Sequence, residues 1–259
     1  MLLYNKDCFD QMKEMANNSI DLIVTDPPYF IGYQGNEWDK KKTSEETYNW
    51  YLNFFKECKR LLTDKGSMWM FFGVSQSIEV IKAADDSGLY LDLNNWKSIC
   101  RQKGRGAKYK FKSQREDIIY LTKVKDQPLL NNNDLFNYEQ NITNILNYYS
   151  GEVERPKFNI NETIFNFKMP YYLSKTEKQF HSCQKSILLL YALIKNSYIP
   201  ENGTIFDPFL GSGSCAISSK LANKNFIGCE LDSEMLEKAK QWIESFDYEN
   251  YKKDYLIGE

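Results

Sequence analysis

Histidine is nearly absent from this chain of 259 residues, His181 being the single one. The six cysteines, Cys8, Cys58, Cys100, Cys183, Cys215 and Cys229, never form a C-x-x-C pair. One imidazole and no paired thiols argue against a structural zinc site, and no metal is expected. Scattered single cysteines fit a reducing compartment rather than a secreted disulfide framework. Long apolar runs are missing too. The longest, "ILLLYALI" at Ile187–Ile194, is too short to cross a bilayer. The opening "MLLYNKDCFDQM" lacks the apolar core and small-residue cleavage site of a signal peptide. No membrane partner is expected. Nor is there an excess of charge of one sign: 33 basic against 35 acidic residues give a net charge of −2. Composition alone therefore does not announce a nucleic-acid ligand.

What is present is a normal apolar fraction of 42% and a high aromatic content of 15%. Length allows one sizeable α/β domain with an insertion, or two small domains. The charge is unevenly spread. Between Asn95 and Arg115 the chain carries Lys97, Arg101, Lys103, Arg105, Lys108, Lys110, Lys112 and Arg115 and no acidic residue. Such a run is either a solvated loop or a track for a phosphate backbone.

Periodicity predicts alternating strands and helices. A strand at Met1–Tyr4 leads to a helix over Cys8–Met15, and "IDLIVT" reads as a buried central parallel strand. "SEETYNWYLNFFKECKRLL" has a Ser cap, an acidic first turn and a basic end, as a helix should. "GSMWMFFG" is a strand and "SQSIEVIKAADDSG" a helix closed by Gly88. Extended segments at Tyr90–Cys100 and Asp117–Thr122 flank the basic run. From Asp126 to Lys168 the texture turns to Asn, Tyr and Phe without periodicity, which reads as an inserted module. "CQKSILLLYALIKNSY" is a helix, "TIFDPF" a strand, "GSGSCAISSKLA" a turn into a helix, "NFIGCELD" a strand and "SEMLEKAKQWIESF" a closing helix. This alternation predicts a doubly wound, mostly parallel sheet.

Two motifs carry chemistry. In "TIFDPFLGSGSCAISSKLANKNFIGCELD", Gly211 and Gly213 allow a sharp turn and a close ligand approach, and Glu230 follows Gly211 by 19 positions at the tip of the next strand. A carboxylate there can accept hydrogen bonds from ribose hydroxyls. The third glycine of a dinucleotide fingerprint is missing, and Asp207-Pro208-Phe209 occupies the phosphate-facing turn. An acid there repels a pyrophosphate and suits a cation. S-adenosylmethionine, a nucleoside with a sulfonium and an ammonium, answers both demands. The bland alternative is a plain tight turn between strand and helix.

The second motif is Asp26-Pro27-Pro28-Tyr29, directly after "IDLIVT". The prolines have fixed φ and no N–H, so their carbonyls stand as rigid acceptors. A planar base could stack on Tyr29 while its amine donates to the Asp26 carboxylate and the Pro27 carbonyl. The help is orientation and electrostatics. On this reading stacking needs the ring of Tyr29 and not its hydroxyl, and Phe30 or Trp38 walls the base on the other side. The bland alternative, a Pro-Pro turn ending a strand, leaves the aspartate unexplained.

Asp26-Pro27-Pro28-Tyr29 together with "FDPFLGSGS", "GNEWDK", "HSCQKS" and "FIGCELD" resembles the DNA amino-methyltransferases, specifically the β group of adenine-N6 enzymes from bacterial restriction–modification systems. The resemblance implies a Rossmann-like, circularly permuted methyltransferase fold with a mostly parallel seven-stranded sheet. Residues 1–125 would be the catalytic half, 126–168 the target-recognition insertion and 169–259 the cofactor half. It implies catalytic roles for Asp26, Pro27, Pro28 and Tyr29, with Asp26 also beside the cofactor. The S-adenosylmethionine site would comprise Asp7 and Cys8 toward the adenine, Glu230 toward the ribose with Leu231 beside it, Asp207, Pro208, Phe209, Gly211, Ser212 and Gly213 toward the methionine, and His181 and Lys185 closing over it. Where the family has prolines after the histidine and lysine, this chain has Ser182 and Ser186. An alternative role for His181 is a structural cap. DNA contacts would fall to Phe30, Trp38, Lys97, Arg101, Lys103, Arg105 and Lys108. Further implications are S-adenosylhomocysteine as product, a flipped target adenine, a cytoplasmic site of action at the bacterial nucleoid, and a homodimer and a cognate restriction endonuclease as partners. Competing readings are cytosine-N4 methylation, where Ser usually replaces the aspartate; methylation of RNA or of a protein glutamine, where Asn tends to; and a catalytically silent binding module.

Overall fold

The structure, a computed structural model, describes residues 1–35, 37–105, 113–125, 164–165 and 180–255. Strand β1 (Leu2–Asn5) leads through the N-cap Asp7 into α1 (Cys8–Glu14). Strand β2 (Ile20–Thr25) carries the apolar run that ends at Asp26. Helix α2 (Ser44–Leu61) starts one residue earlier in its capping than the sequence suggests. Thr43, not Ser44, is the N-cap, and it exchanges hydrogen bonds with Glu46 in a capping box. Strand β3 (Leu62–Phe72) and helix α3 (Ser77–Ser87) follow, the latter stopped by Gly88 at φ 77°.

The extended segments expected at either side of the basic run are longer than predicted. Strand β4 spans Tyr90–Arg105 and β5 spans Ser113–Thr122. Arg101, Lys103 and Arg105 thus belong to the end of a strand, not to a loop. Only Ile164–Phe165, strand β6, is described within the expected insertion 126–168. The remainder of that insertion, and Lys108, lie outside the described residues. The second half contributes α4 (Ile187–Lys195), β7 (Thr204–Asp207), α5 (Ser214–Leu221), β8 (Asn225–Glu230), α6 (Ser233–Ser245) and α7 (Tyr248–Tyr255).

All strands join one sheet of order β1-β8-β7-β2-β3-β5-β4-β6. Among the described residues that makes eight strands where seven were expected, the additional one being the two-residue β6 paired to β4. From β1 to β3 every pairing is parallel; β5 runs antiparallel to β3 and to β4. Alternate strand residues feed two cores. Leu22, Val24, Trp69, Phe71, Ile118 and Tyr120 pack under α4, α5 and α6. Ile23, Met68, Met70, Phe72, Ile119 and Leu121 pack under α2 and α3. Each fully buried Leu, Ile, Met or Phe in these layers contributes about 1.5–3 kcal/mol by leaving water.

This winding sets the site. The helix after β2 covers one face and the helix after β7 the other, while β2 and β7 are neighbours. The crevice between them is the topological switch point, where open α/β sheets bind ligands beyond the carboxyl ends of strands. Register puts these ends level. Leu22 lies beside Ile205, Asp207 beside Gly228, and Asn5 beside Glu230. Asp7, Glu230, Asp207 and Asp26 therefore emerge from four adjacent strands at one edge. Because β5 is antiparallel, its start meets the end of β3, with Asp117 opposite Phe72. Glu116 arrives at the same edge.

Candidate active site

Asp26 leaves β2 with its side chain 19% exposed. Its Oδ1 accepts a hydrogen bond from the Tyr29 hydroxyl at 2.8 Å. Its Oδ2 lies 2.7 Å from the Lys185 ammonium. The same ammonium sits 2.8 Å from Glu116 Oε1 and 4.8 Å from the centre of the Phe71 ring. Burial raises the Asp26 carboxyl above its usual range; Lys185 opposes this and Glu116 adds to it. Burial alone would lower the Lys185 ammonium, but Asp26 and Glu116 on either side hold it above its ordinary value, so it is charged.

Pro28 lends its carbonyl to the core, where the buried Tyr51 hydroxyl donates to it at 3.1 Å. The Tyr29 ring packs flat ground left by Gly73: a Cβ there would come within 3.2 Å of Tyr29 Cδ2. The Tyr29 hydroxyl is pushed well up by burial and by Asp26, so it remains a donor. Beside the ring expected to stack, the Tyr29 hydroxyl holds one oxygen of the tetrad carboxylate.

The loop after the tetrad is held by Asp39, a buried acid. Its carboxylate accepts from the backbone N–H groups of Phe30 (2.6 Å), Ile31 (3.1 Å) and Tyr33 (2.8 Å). Phe30 takes a left-handed φ of 54° and turns inward against Trp50 and Tyr51. At 7% exposure it packs into the core, where a wall for the base was expected. Lys97, expected at a phosphate, is buried at 9% exposure on β4. Trp38, at 45%, is on the surface as expected. Arg101, Lys103 and Arg105 lie on β4 by backbone alone.

Across the crevice, Asp207 ends β7 and accepts from Phe209 N–H at 3.1 Å. Burial pushes its carboxyl up to about 7, against the pull of the Phe209 N–H and Thr25, with Asp26 and Glu230 adding to the rise. Pro208 is buried, and the Phe209 ring packs on Trp50 and Phe54. Gly211 and Gly213 have φ of 51° and 87°, values an L side chain rarely takes. Ser212 is buried with its hydroxyl 3.0 Å from that of Ser214. Glu230 binds the turn: its Oε2 accepts from Gly211 N–H at 2.9 Å and its Oε1 from Asp232 N–H at 3.0 Å. Leu231 beside it is 67% exposed.

Asp7 caps α1, accepting at Oδ1 from Phe9 and Asp10 N–H, so it also holds the helix start. The Cys8 thiol is buried and raised by burial and by Asp7, which leaves it inert. His181 lies over the glycine turn, its Cε1 3.6 Å from where a Gly211 Cβ would be. Its Nδ1 accepts from Cys183 N–H at 3.3 Å. Burial, with Lys185 nearby, lowers its pKa, so it is neutral at pH 7. The cap of α4 is Ser186, not the histidine. Lys185 is brought to the tetrad carboxylate. Among the described residues no group of acids, cysteines and histidine could hold a metal ion.

Sequence reasoning missed Glu116 and Asp39. "GNEWDK" contains Asp39 and stood out as a landmark, but nothing in it told which backbone groups the acid would meet. Glu116 sits in β5 two residues before its apolar run, and a carboxylate in that place is the one signal it gave.

A model of the DNA methylase family matches residues 20–241. The type II methyltransferase M.HpaI of Haemophilus parainfluenzae is 28% identical over 239 residues, covering 90% of this chain and 71% of that protein. M2.MboI of Moraxella bovis is 27% identical over 256 residues, covering 92% and 86%. Among solved structures, the M1.HpyAVI–SAM complex aligns with a TM-score of 0.64 at 21% identity, covering 93% of this chain and 98% of that one. The PvuII DNA methyltransferase, described as cytosine-N4-specific, aligns with a TM-score of 0.69 at 16% identity, covering 98% and 90%. The fold is that of a methyltransferase, with its crevice at the switch point of the sheet. The chain belongs to the DNA methylase family.

Proposed function

We propose that the protein methylates the exocyclic N6 amine of adenine in DNA, using S-adenosylmethionine and releasing S-adenosylhomocysteine. The observation that carries adenine over cytosine is the carboxylate of Asp26 at the head of the tetrad, set at the sheet edge by its two partners. Each carboxylate oxygen has two lone pairs, so one on either oxygen is left to accept a hydrogen of the base amine. That acceptor, with the Pro27 carbonyl, orients the amine lone pair toward the crevice. Tyr29 supplies the stacking face for a base turned out of the duplex, whose extrusion costs a few kcal/mol.

The residues across the crevice fit the cofactor. Two left-handed glycines leave backbone unshielded, Glu230 stands where ribose hydroxyls would arrive, and exposed Leu231 offers an apolar face to a purine. Asp207 favours a cationic group. When bound, S-adenosylmethionine supplies the electrophilic methyl group. Asp7, Cys8, Pro208, Phe209, Ser212 and His181 complete this side.

On the same reading residues 1–125 and 169–259 are the catalytic and cofactor halves, and 126–168 choose the target sequence. Trp38 and the basic paired ends of β4 and β5 meet DNA. The enzyme works in the bacterial cytoplasm, as a homodimer, beside a cognate restriction endonuclease. No helix among the described residues is long and apolar enough to cross a membrane. Mass spectrometry of nucleosides from methylated duplex DNA is the test. N6-methyladenine is expected and should vanish with Asp26→Ala, whereas N4-methylcytosine would overturn the assignment.

A further inference from the structure

We propose that Lys185, anchored by Glu116, is a positioning residue for Asp26, so that the target amine meets a carboxylate held in place by a lysine bridge. This rests on the reading of Asp26 as the amine's acceptor. The three groups come from three separate elements. Asp26 follows β2, Glu116 lies within β5, and Lys185 precedes α4. Their side chains are 19%, 4% and 10% exposed, so Asp26 alone reaches toward the crevice. A buried ion cluster is poor at stabilising a fold, because desolvation offsets the attraction. This one faces the site, and its geometry has a use. With Oδ2 held by Lys185 and Oδ1 by Tyr29, the carboxylate cannot rotate. The Phe71 ring under the ammonium fixes the third side.

The charge matters as well as the angle. As the nitrogen–methyl bond forms and the methyl–sulfur bond of the sulfonium breaks, leaving a neutral thioether, the amine becomes positive until one hydrogen leaves as a proton. The Asp26 carboxylate stabilises that cation. Lys185 also weakens the hold of Asp26 on the departing proton, which passes on to water.

Among the described residues, the charged and titratable groups around Asp26 are Tyr29 on its own segment, Tyr51 from α2, Glu116 from β5 and Asp207 from β7. Lys185 and Cys183 join them from the segment before α4, with His181 facing Lys185. Of these, Lys185 and Glu116 act on Asp26 with opposite sign. The proposal therefore requires opposite consequences when each is removed.

The experiment follows two readouts on the full chain: single-turnover methyl transfer to duplex DNA against pH, and carbon-13 titration of aspartate carboxyls. Asp26→Asn identifies the Asp26 resonance. Glu116→Gln keeps its shape and should shift the Asp26 titration and the acid limb of the rate to lower pH. Lys185→Gln should shift both to higher pH and lower turnover about 100-fold, the scale of a misplaced catalytic group. Lys185→Arg should recover part of the loss. If Lys185→Gln does not fold, the double variant Lys185→Gln with Glu116→Gln should titrate Asp26 above Glu116→Gln alone. Displacements in the same direction, or none, overturn the proposal. Normal turnover by Asp26→Asn would overturn the reading of Asp26 itself, and is told apart from failure of the pairing.

Discussion

At the residue scale, two side chains grip opposite oxygens of one carboxylate, and they differ in what they can lose. Tyr29→Phe keeps the ring against Gly73 but gives up the hydrogen bond at 2.8 Å. A hydrogen bond to a charged group is worth about 1.5–3 kcal/mol, so kcat/KM should fall about 10- to 100-fold. Tyr29→Ala, which also loses the stacking face, should fall further and weaken DNA binding in a fluorescence titration with 2-aminopurine at the target. Equal activity of Tyr29→Phe and parent would show that Tyr29 acts only by its ring. The tetrad, Asp207 and Glu230 were legible because each ends an apolar strand in sequence. Glu116 was not, because its meaning depends on Lys185, which lies 69 positions away and meets it only through the sheet.

At the element scale, the loop from Phe30 to Asp39 owes its shape to one acid that accepts three backbone N–H groups. Asp39→Asn turns an acceptor oxygen into a donor amide among donors. It should cost about 1.5–3 kcal/mol of stability, read by denaturant unfolding. Turnover should fall with it, because the loop continues directly from Tyr29. Unchanged stability would mean the loop is held elsewhere. The paired ends of β4 and β5 carry Arg101, Lys103, Arg105 and Arg115 of the basic run. Replacing Lys103, Arg105 and Lys108 together by Gln should flatten the salt dependence of DNA binding by about 0.9 of log–log slope per phosphate contact removed. An unchanged slope would mark the run as a solvated turn. Helix and strand order was readable from periodicity, and Gly88 stopped α3 as expected. The length of β4 was not, since Gln and Lys give no alternating apolar signal and pairing to β5 decides it.

At the scale of the whole molecule, the site gathers buried acids at one edge, and that has a cost in stability. The Asp207 carboxyl titrates at about 7, well above the unfolded value near 4. The folded chain therefore holds that proton more tightly than the unfolded one. The resulting stabilisation is full in acid below the unfolded value and is lost as pH rises through 7. Asp207→Asn should be more stable than the parent at pH 8 by at least about 1 kcal/mol, the worth of one pKa unit. The advantage should disappear near pH 4. The same variant should bind S-adenosylmethionine more weakly in calorimetry, because the cation loses its partner. If the stability difference does not change with pH, Asp207 does not titrate in this range.

The strand order has a consequence for how the chain is made. On a ribosome, β2 and β3 emerge early, but β7, the other neighbour of β2, begins only at Thr204, and β1 waits for β8 at Asn225. During most of synthesis the apolar strand "IDLIVT" therefore has one open edge, an invitation to pair with another chain. Nascent chains arrested before Thr204 should need a chaperone's cover, and release from it should coincide with the emergence of the glycine turn.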